Sequence, residues 1–141
     1  MVRQAVEAAG RDWSRFEVAQ LINTSVEDDP RRAVDAVRWE AATKFLPGKF
    51  RTQAGPRLRV GEPSIDVSVL PELEEAYRTG GPEALAAALP ASMVEGLTAA
   101  GTADRVVERI ERYREAGVKL PIIRPAAAHQ TQRIIDLFSP R

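Results

Sequence analysis

GTADRVVERIERYREAGVKLPIIRP, Gly101 to Pro125, reads as one helix, one turn and one strand in succession. Thr102 stands at the N-cap position, where its side-chain oxygen could accept one of the backbone N–H groups that the first turn of a helix leaves unpartnered. Asp104 adds negative charge at the positive end of the helix. Val106, Val107, Ile110 and Tyr113 recur at helical spacing while Glu108, Arg109, Glu111, Arg112 and Arg114 fill the other faces. That single apolar stripe requires a layer to lie on. Gly117 predicts the stop, because it adopts a left-handed C′ conformation cheaply and Val118 follows as the usual hydrophobic contact. Leu120 to Ile123 is short, apolar and uncharged, the pattern of a strand buried on both faces, and Arg124-Pro125 ends it. A helix leading at once into a buried strand is half of a β/α repeat.

The same order appears upstream. Phe16 to Val26 reads as a first strand, with Val18, Ala19, Leu21 and Ile22 apolar and every polar member after Glu17 uncharged. A helix over Val2 to Ala9 precedes it. After the strand, Asp29 reads as an N-cap and Pro30 as the first helical residue, where the missing proline N–H costs nothing. The helix predicted over Pro30 to Leu46 carries two stripes: Val34, Val37, Ala41 and Phe45 on one side, Trp39, Ala42 and Leu46 roughly opposite. The second stripe needs cover from the following segment, another subunit or a further part of the protein. Pro47 to Val69 is rich in Pro and Gly and has no period. Helical pattern returns at Pro71 to Arg78, breaks at Thr79 to Gly81, resumes at Pro82 to Leu89, and ends with a short helix over Ser92 to Ala99. Two strands are therefore separated by a loop and helical insertion, residues 47–100.

Composition excludes several classes. Twenty basic residues balance twenty acidic ones, so no global field favours nucleic acid or an anionic membrane. The absence of cysteine removes disulfides, thiolate metal sites and a thiol nucleophile, and a single histidine removes metal chemistry built on His pairs. No metal site is expected. The N-terminal MVRQAVEAAGRDW has no sustained apolar run and reads as neither signal peptide nor membrane span, which makes the cytoplasm the expected compartment. No glycine-rich nucleotide loop, zinc-protease helix or serine nucleophile elbow is present.

The motif Gly-Thr, amphipathic helix, Glu-Ala-Gly-Val, apolar strand, Arg-Pro resembles the last repeat of the bacterial luciferase-like monooxygenases, a family of flavin- or deazaflavin-dependent oxidoreductases. Gly10 to Phe45 resembles the preceding strand and helix of that family, and HQTQRIIDLF, His129 to Phe138, its closing helix. One departure is local: Ala103 and Asp104 stand where the family commonly has Pro and Glu, and Arg105 occupies the capping-box position. The resemblance implies the C-terminal portion of a TIM-type (β/α)8 barrel, helix-rich, with two parallel strands and a helical insertion between them. Complete barrels of this type need eight strands and about 250 residues, so residues 1–141 are expected to be the C-terminal segment of such a domain. An intact protein would use FMN or deazaflavin coenzyme F-420 for monooxygenation or hydride transfer on a small-molecule substrate. The segment alone is expected to be inactive, to bind neither cofactor tightly, and to associate with itself or with the missing N-terminal half. The alternative is a small helical binding or assembly module without catalysis, and the reading frame upstream of Met1 separates the two.

Barrel enzymes place their active sites at the C-terminal ends of the strands, which selects the candidate residues. Arg124 ends the second strand and could bind an anionic group of cofactor or substrate, or pair with a nearby carboxylate. Asn23 and Ser25 share one face near the end of the first, fit for cofactor contact or for strand-end hydrogen bonding. Lys49 and Arg51, with Arg57 and Arg59, concentrate positive charge in the long loop. By the resemblance, that charge would suit the phosphate and oligoglutamate tail of a deazaflavin coenzyme. Trp39 could stack on a ring and His129 could donate to substrate from the start of the last helix, against the plainer readings of packing and surface exposure.

Overall fold

The computed structural model describes residues 2–47 and 66–139. Three strands form an open, wholly parallel sheet: β1 (Ala19–Val26), β2 (Ala99–Gly101) and β3 (Leu120–Pro125), in the order β2-β1-β3. β3 pairs with β1 from Ala19↔Leu120 to Thr24↔Pro125, so the two expected strands are parallel neighbours. β2 pairs only with Thr24 to Val26. This third strand corrects the sequence reading, which places Ala99 at the end of a helix. Ala99-Ala100-Gly101 carries no apolar alternation to betray a strand. Its small side chains let the backbone lie close under its neighbours, and Ala99 is fully buried.

The described residues also form six α-helices: α1 (Val2–Ala8), α2 (Pro30–Ala42), α3 (Leu70–Ala88), α4 (Ala91–Leu97), α5 (Ala103–Glu115) and α6 (Thr131–Phe138). Two cores result. Val106 and Ile110 of α5 and Ile134 of α6 pack with Ile22, Val26 and Ala99, and partly with Ile123. Val34, Val37 and Ala42 of α2, with Phe45, pack with Leu73 and Leu85 of α3 and Met93 of α4. Each fully buried Val, Leu, Ile or Met side chain among these contributes about 1.5–3 kcal/mol.

Register and alternation sort the sheet residues. Leu21, Asn23 and Ser25 on β1 share a face with Leu120, Ile122 and Arg124 on β3. α2 covers the C-terminal end of this face, where Ala100 and Ala126 join its core and Glu40 meets Arg124. The other end is bare. Leu21, Leu120 and Ile122 are 51, 46 and 45% exposed, so β3 is not buried on both faces as its composition predicts. A strand's sequence records the layers it evolved to meet, and one layer is not supplied by the described residues.

The local signals fare better. Gly117 has φ 100°, the Gly117 N–H donates to Arg114 O at 2.9 Å and the Val118 N–H to Tyr113 O at 3.0 Å, which is a Schellman ending for α5. Asp29 accepts from the Arg31 N–H with Pro30 next to it, as predicted. Thr102 occupies the N-cap of α5, yet its hydroxyl caps no N–H. α2 ends at Ala42 rather than Leu46, followed by a 3-10 turn at Thr43–Phe45, with the Thr43 hydroxyl donating to Glu40 O at 2.8 Å. β1 starts at Ala19, where its pairing with Leu120 begins; upstream, Asp12 holds a 3-10 turn at Trp13–Arg15, accepting from the Ser14 hydroxyl and N–H, and those bonds keep its carboxyl below the usual range. α3 spans both predicted helical stretches and breaks between them at Gly81, φ 71° and ψ −162°.

Candidate functional site

Beyond the C-terminal ends of β1 and β3 the ladder is extended by single bonds. The Ala126 N–H donates to Thr24 O at 2.8 Å, and the Glu27 N–H donates to Gly101 O at 3.0 Å. The Ala126 bond carries the chain along β1 towards the Ala128–Gln130 3-10 turn, which lies over the end of that strand. Gln130, only 3% exposed, lies there with its Nε2 donating to Ser25 Oγ at 3.1 Å and to Glu27 Oε1 at 2.7 Å. Its Oε1 is buried without a donor. Asn23 Oδ1, on the same sheet face as Ser25, is likewise buried and without a donor. Two unpartnered acceptors, one within β1 and one in the turn after β3, are unusual, since buried polar atoms are nearly always satisfied.

Arg124, across the register from Asn23, is half exposed and pairs with Glu40 of α2, Nη2 to Oε1 at 3.1 Å. The plainer reading of that arginine is thus part of its geometry, and the carboxylate also fixes where the guanidinium points. His129 is three-quarters exposed, with Nε2 3.9 Å from Glu27 Oε1, too far for a hydrogen bond. Beside it, Arg133 Nη2 donates to Asp28 Oδ1 at 2.5 Å. Trp39 is 46% exposed on α2, one residue before Glu40; α3 covers its stripe-mate Ala42 but leaves the indole open. Lys49, Arg51, Arg57 and Arg59 lie outside the described residues.

The structure therefore brings Asn23, Ser25 and Arg124 to one sheet face and one end, and sets His129 beside Glu27. Glu27, Glu40 and Gln130 escape the sequence reading. Glu40 is 84 residues from Arg124, and no spacing rule connects them. Gln130 had a legible signal only in its position, directly after the strand-end loop and next to His129. Among the described residues no cluster of His, Asp and Glu could hold a metal ion, and no helix is long and apolar enough to cross a membrane.

A parallel sheet flanked by helices, with polar groups gathered towards the C-terminal strand ends, is an α/β architecture, shared by barrels and open doubly wound sheets. A family model described as luciferase-like monooxygenase matches residues 1–120, and the chain belongs to that family. Over 136 residues it is 23% identical to a 5,10-methylenetetrahydromethanopterin reductase of Methanopyrus kandleri, covering 96% of this chain and 37% of the relative. A solved structure of a coenzyme F420-dependent tetrahydromethanopterin reductase from Methanopyrus kandleri matches with a TM-score of 0.68 at 22% identity, again over 96% of this chain and 37% of that one. The shared fold is part of a TIM barrel. The chain spans little more than a third of the length of these relatives.

Proposed function

We propose that this chain is the C-terminal segment of a luciferase-like oxidoreductase that works with a reduced deazaflavin of the coenzyme F420 type on a small organic substrate. The observation that carries the reading is that two buried acceptors lack a donor, Asn23 Oδ1 on β1 and Gln130 Oε1 in the turn after β3. A heteroaromatic ring with N–H groups on its edge would satisfy such acceptors, so the residues present fit a cofactor of this class. When bound, the deazaflavin supplies the hydride, and the chemistry is the cofactor's. Asn23 then orients the ring edge and Arg124, held by Glu40, offers N–H donors to an anionic or carbonyl oxygen. Lys49 and Arg51 contact the phosphate and acidic tail, while His129 and Trp39 face the substrate. The relative's use of F420 supports deazaflavin over flavin. The same reading gives the protein a cytoplasmic setting and a polypeptide partner that completes the barrel.

The test is a fluorescence titration with oxidised and reduced F420 and with FMN, on the full chain alone and on the chain co-expressed with a polypeptide corresponding to the other part of the barrel. The chain alone is expected to show no micromolar binding, and the complex to bind F420. Micromolar binding by the chain alone would mean that this segment carries the whole site. A stable complex that binds neither cofactor would overturn the assignment in favour of a module without catalysis.

A further inference from the structure

Outside these strand-end groups, a cleft of about 250 Å³ opens between α4 and α5 beside β2. Arg105, Arg109 and Arg112 stand at i, i+4 and i+7 on α5, and all three line it. Their commitments differ. Arg112 is engaged by Glu108 at 2.6 Å. Arg109 donates through Nη2 to the Gly96 carbonyl and lies over the Tyr113 ring, which ties α5 to the last turn of α4, but its buried Nε–H has no acceptor. Arg105 has no hydrogen-bond or ion-pair partner among the described residues. A guanidinium carries only donors, and those of Arg105, exposed on the cleft wall, have no acceptor among the described residues.

Glu95, on the α4 wall, is the one acid of the cleft without a partner among the described residues, and the Ser92 hydroxyl lines the same wall. The complementary ligand is therefore an oxyanion at one end and a hydroxyl donor at the other. Two neighbouring guanidinium groups favour a dianion over a single carboxylate, because Arg binds phosphate oxygens in a two-pronged, charge-assisted manner. At about 250 Å³ the cleft lies just below the range usual for drug-sized ligands, which favours a small ligand. We propose that this cleft binds a small hydroxylated phosphate monoester, with phosphate on Arg105 and Arg109 and hydroxyl on Glu95. None of Asn23, Ser25, Arg124 and Gln130 lines this cleft.

Isothermal titration of the full chain at low ionic strength with glycerol 3-phosphate, inorganic phosphate and glycerol tests it. Saturable binding of glycerol 3-phosphate is expected, weaker binding of inorganic phosphate, and none of glycerol. Arg105→Gln, at a solvent-exposed position, should weaken both phosphates by about tenfold, the usual scale for one charge-assisted contact. Glu95→Gln should weaken glycerol 3-phosphate and spare inorganic phosphate. Arg114→Gln, which removes an arginine paired with Glu111 on the same helix, should change nothing. The proposal fails if neither phosphate gives saturable heat, if Arg114→Gln loses as much as Arg105→Gln, or if inorganic phosphate binds as tightly as its glycerol ester.

Discussion

Gln130 joins the two strand ends that matter most, because its amide donates at once to Ser25 and Glu27 across more than a hundred residues of sequence. Gln130→Ala removes both bonds and leaves two acceptors short, so the folded state should lose about 2 kcal/mol, within the range for breaking buried hydrogen bonds. Urea denaturation of the variant should show a lower midpoint with an unchanged slope. Arg124 separates stability from function. Its pair with Glu40 is half exposed, and pairs of that kind contribute at most about 1 kcal/mol, so Arg124→Ala should leave the midpoint nearly unchanged. In the completed barrel the same change should weaken cofactor binding by about tenfold, the scale of one charge-assisted contact. An unchanged affinity would assign Arg124 to the surface pair alone. The placement of Asn23 and Arg124 on β1 and β3 was legible because it needs only a strand and its direction. Glu40 was not, since only the folded chain brings α2 over β3.

At the scale of elements, what local chemistry decides was readable and what tertiary pairing decides was not. The end of α5 is written in Gly117-Val118 and is found as written, with Gly117 at φ 100° and open space where a Cβ would go. Gly117→Ala should therefore cost only backbone strain, about 1–2 kcal/mol for a left-handed L-residue. Gly81→Ala should cost a similar amount or more, because φ 71° with ψ −162° is open essentially to glycine alone. Thermal unfolding of both variants checks this. A Gly117→Ala protein as stable as wild type would mean that the helix end relaxes. β2 shows the opposite case. Three small residues, Ala99 to Gly101, have neither the length nor the alternation to announce a strand, and they become one only because Thr24 to Val26 lies alongside. The break of α3 at Gly81 was visible in Gly80-Gly81-Pro82, whereas its continuity as one element was not.

For the whole molecule, the sheet is the deciding feature. Among the described residues β2 covers only the last part of one edge of β1, β3 has no neighbour on its outer edge, and Leu21, Leu120 and Ile122 lie open on the face that α2 leaves bare. Unpaired strand edges and a contiguous apolar face are what a soluble monomer avoids. A closed barrel would pair those edges and fill that face, in keeping with relatives almost three times as long. The chain is accordingly expected to associate, with a second copy when alone and with the rest of the barrel when that is supplied. Static light scattering of the purified full chain across a concentration series measures this directly. The weight-average mass should climb above that of the monomer as concentration rises, and Ile122→Ser should lower it towards the monomer. A mass that stays monomeric at every concentration, with a single cooperative thermal transition, would contradict the account and make the chain a finished domain.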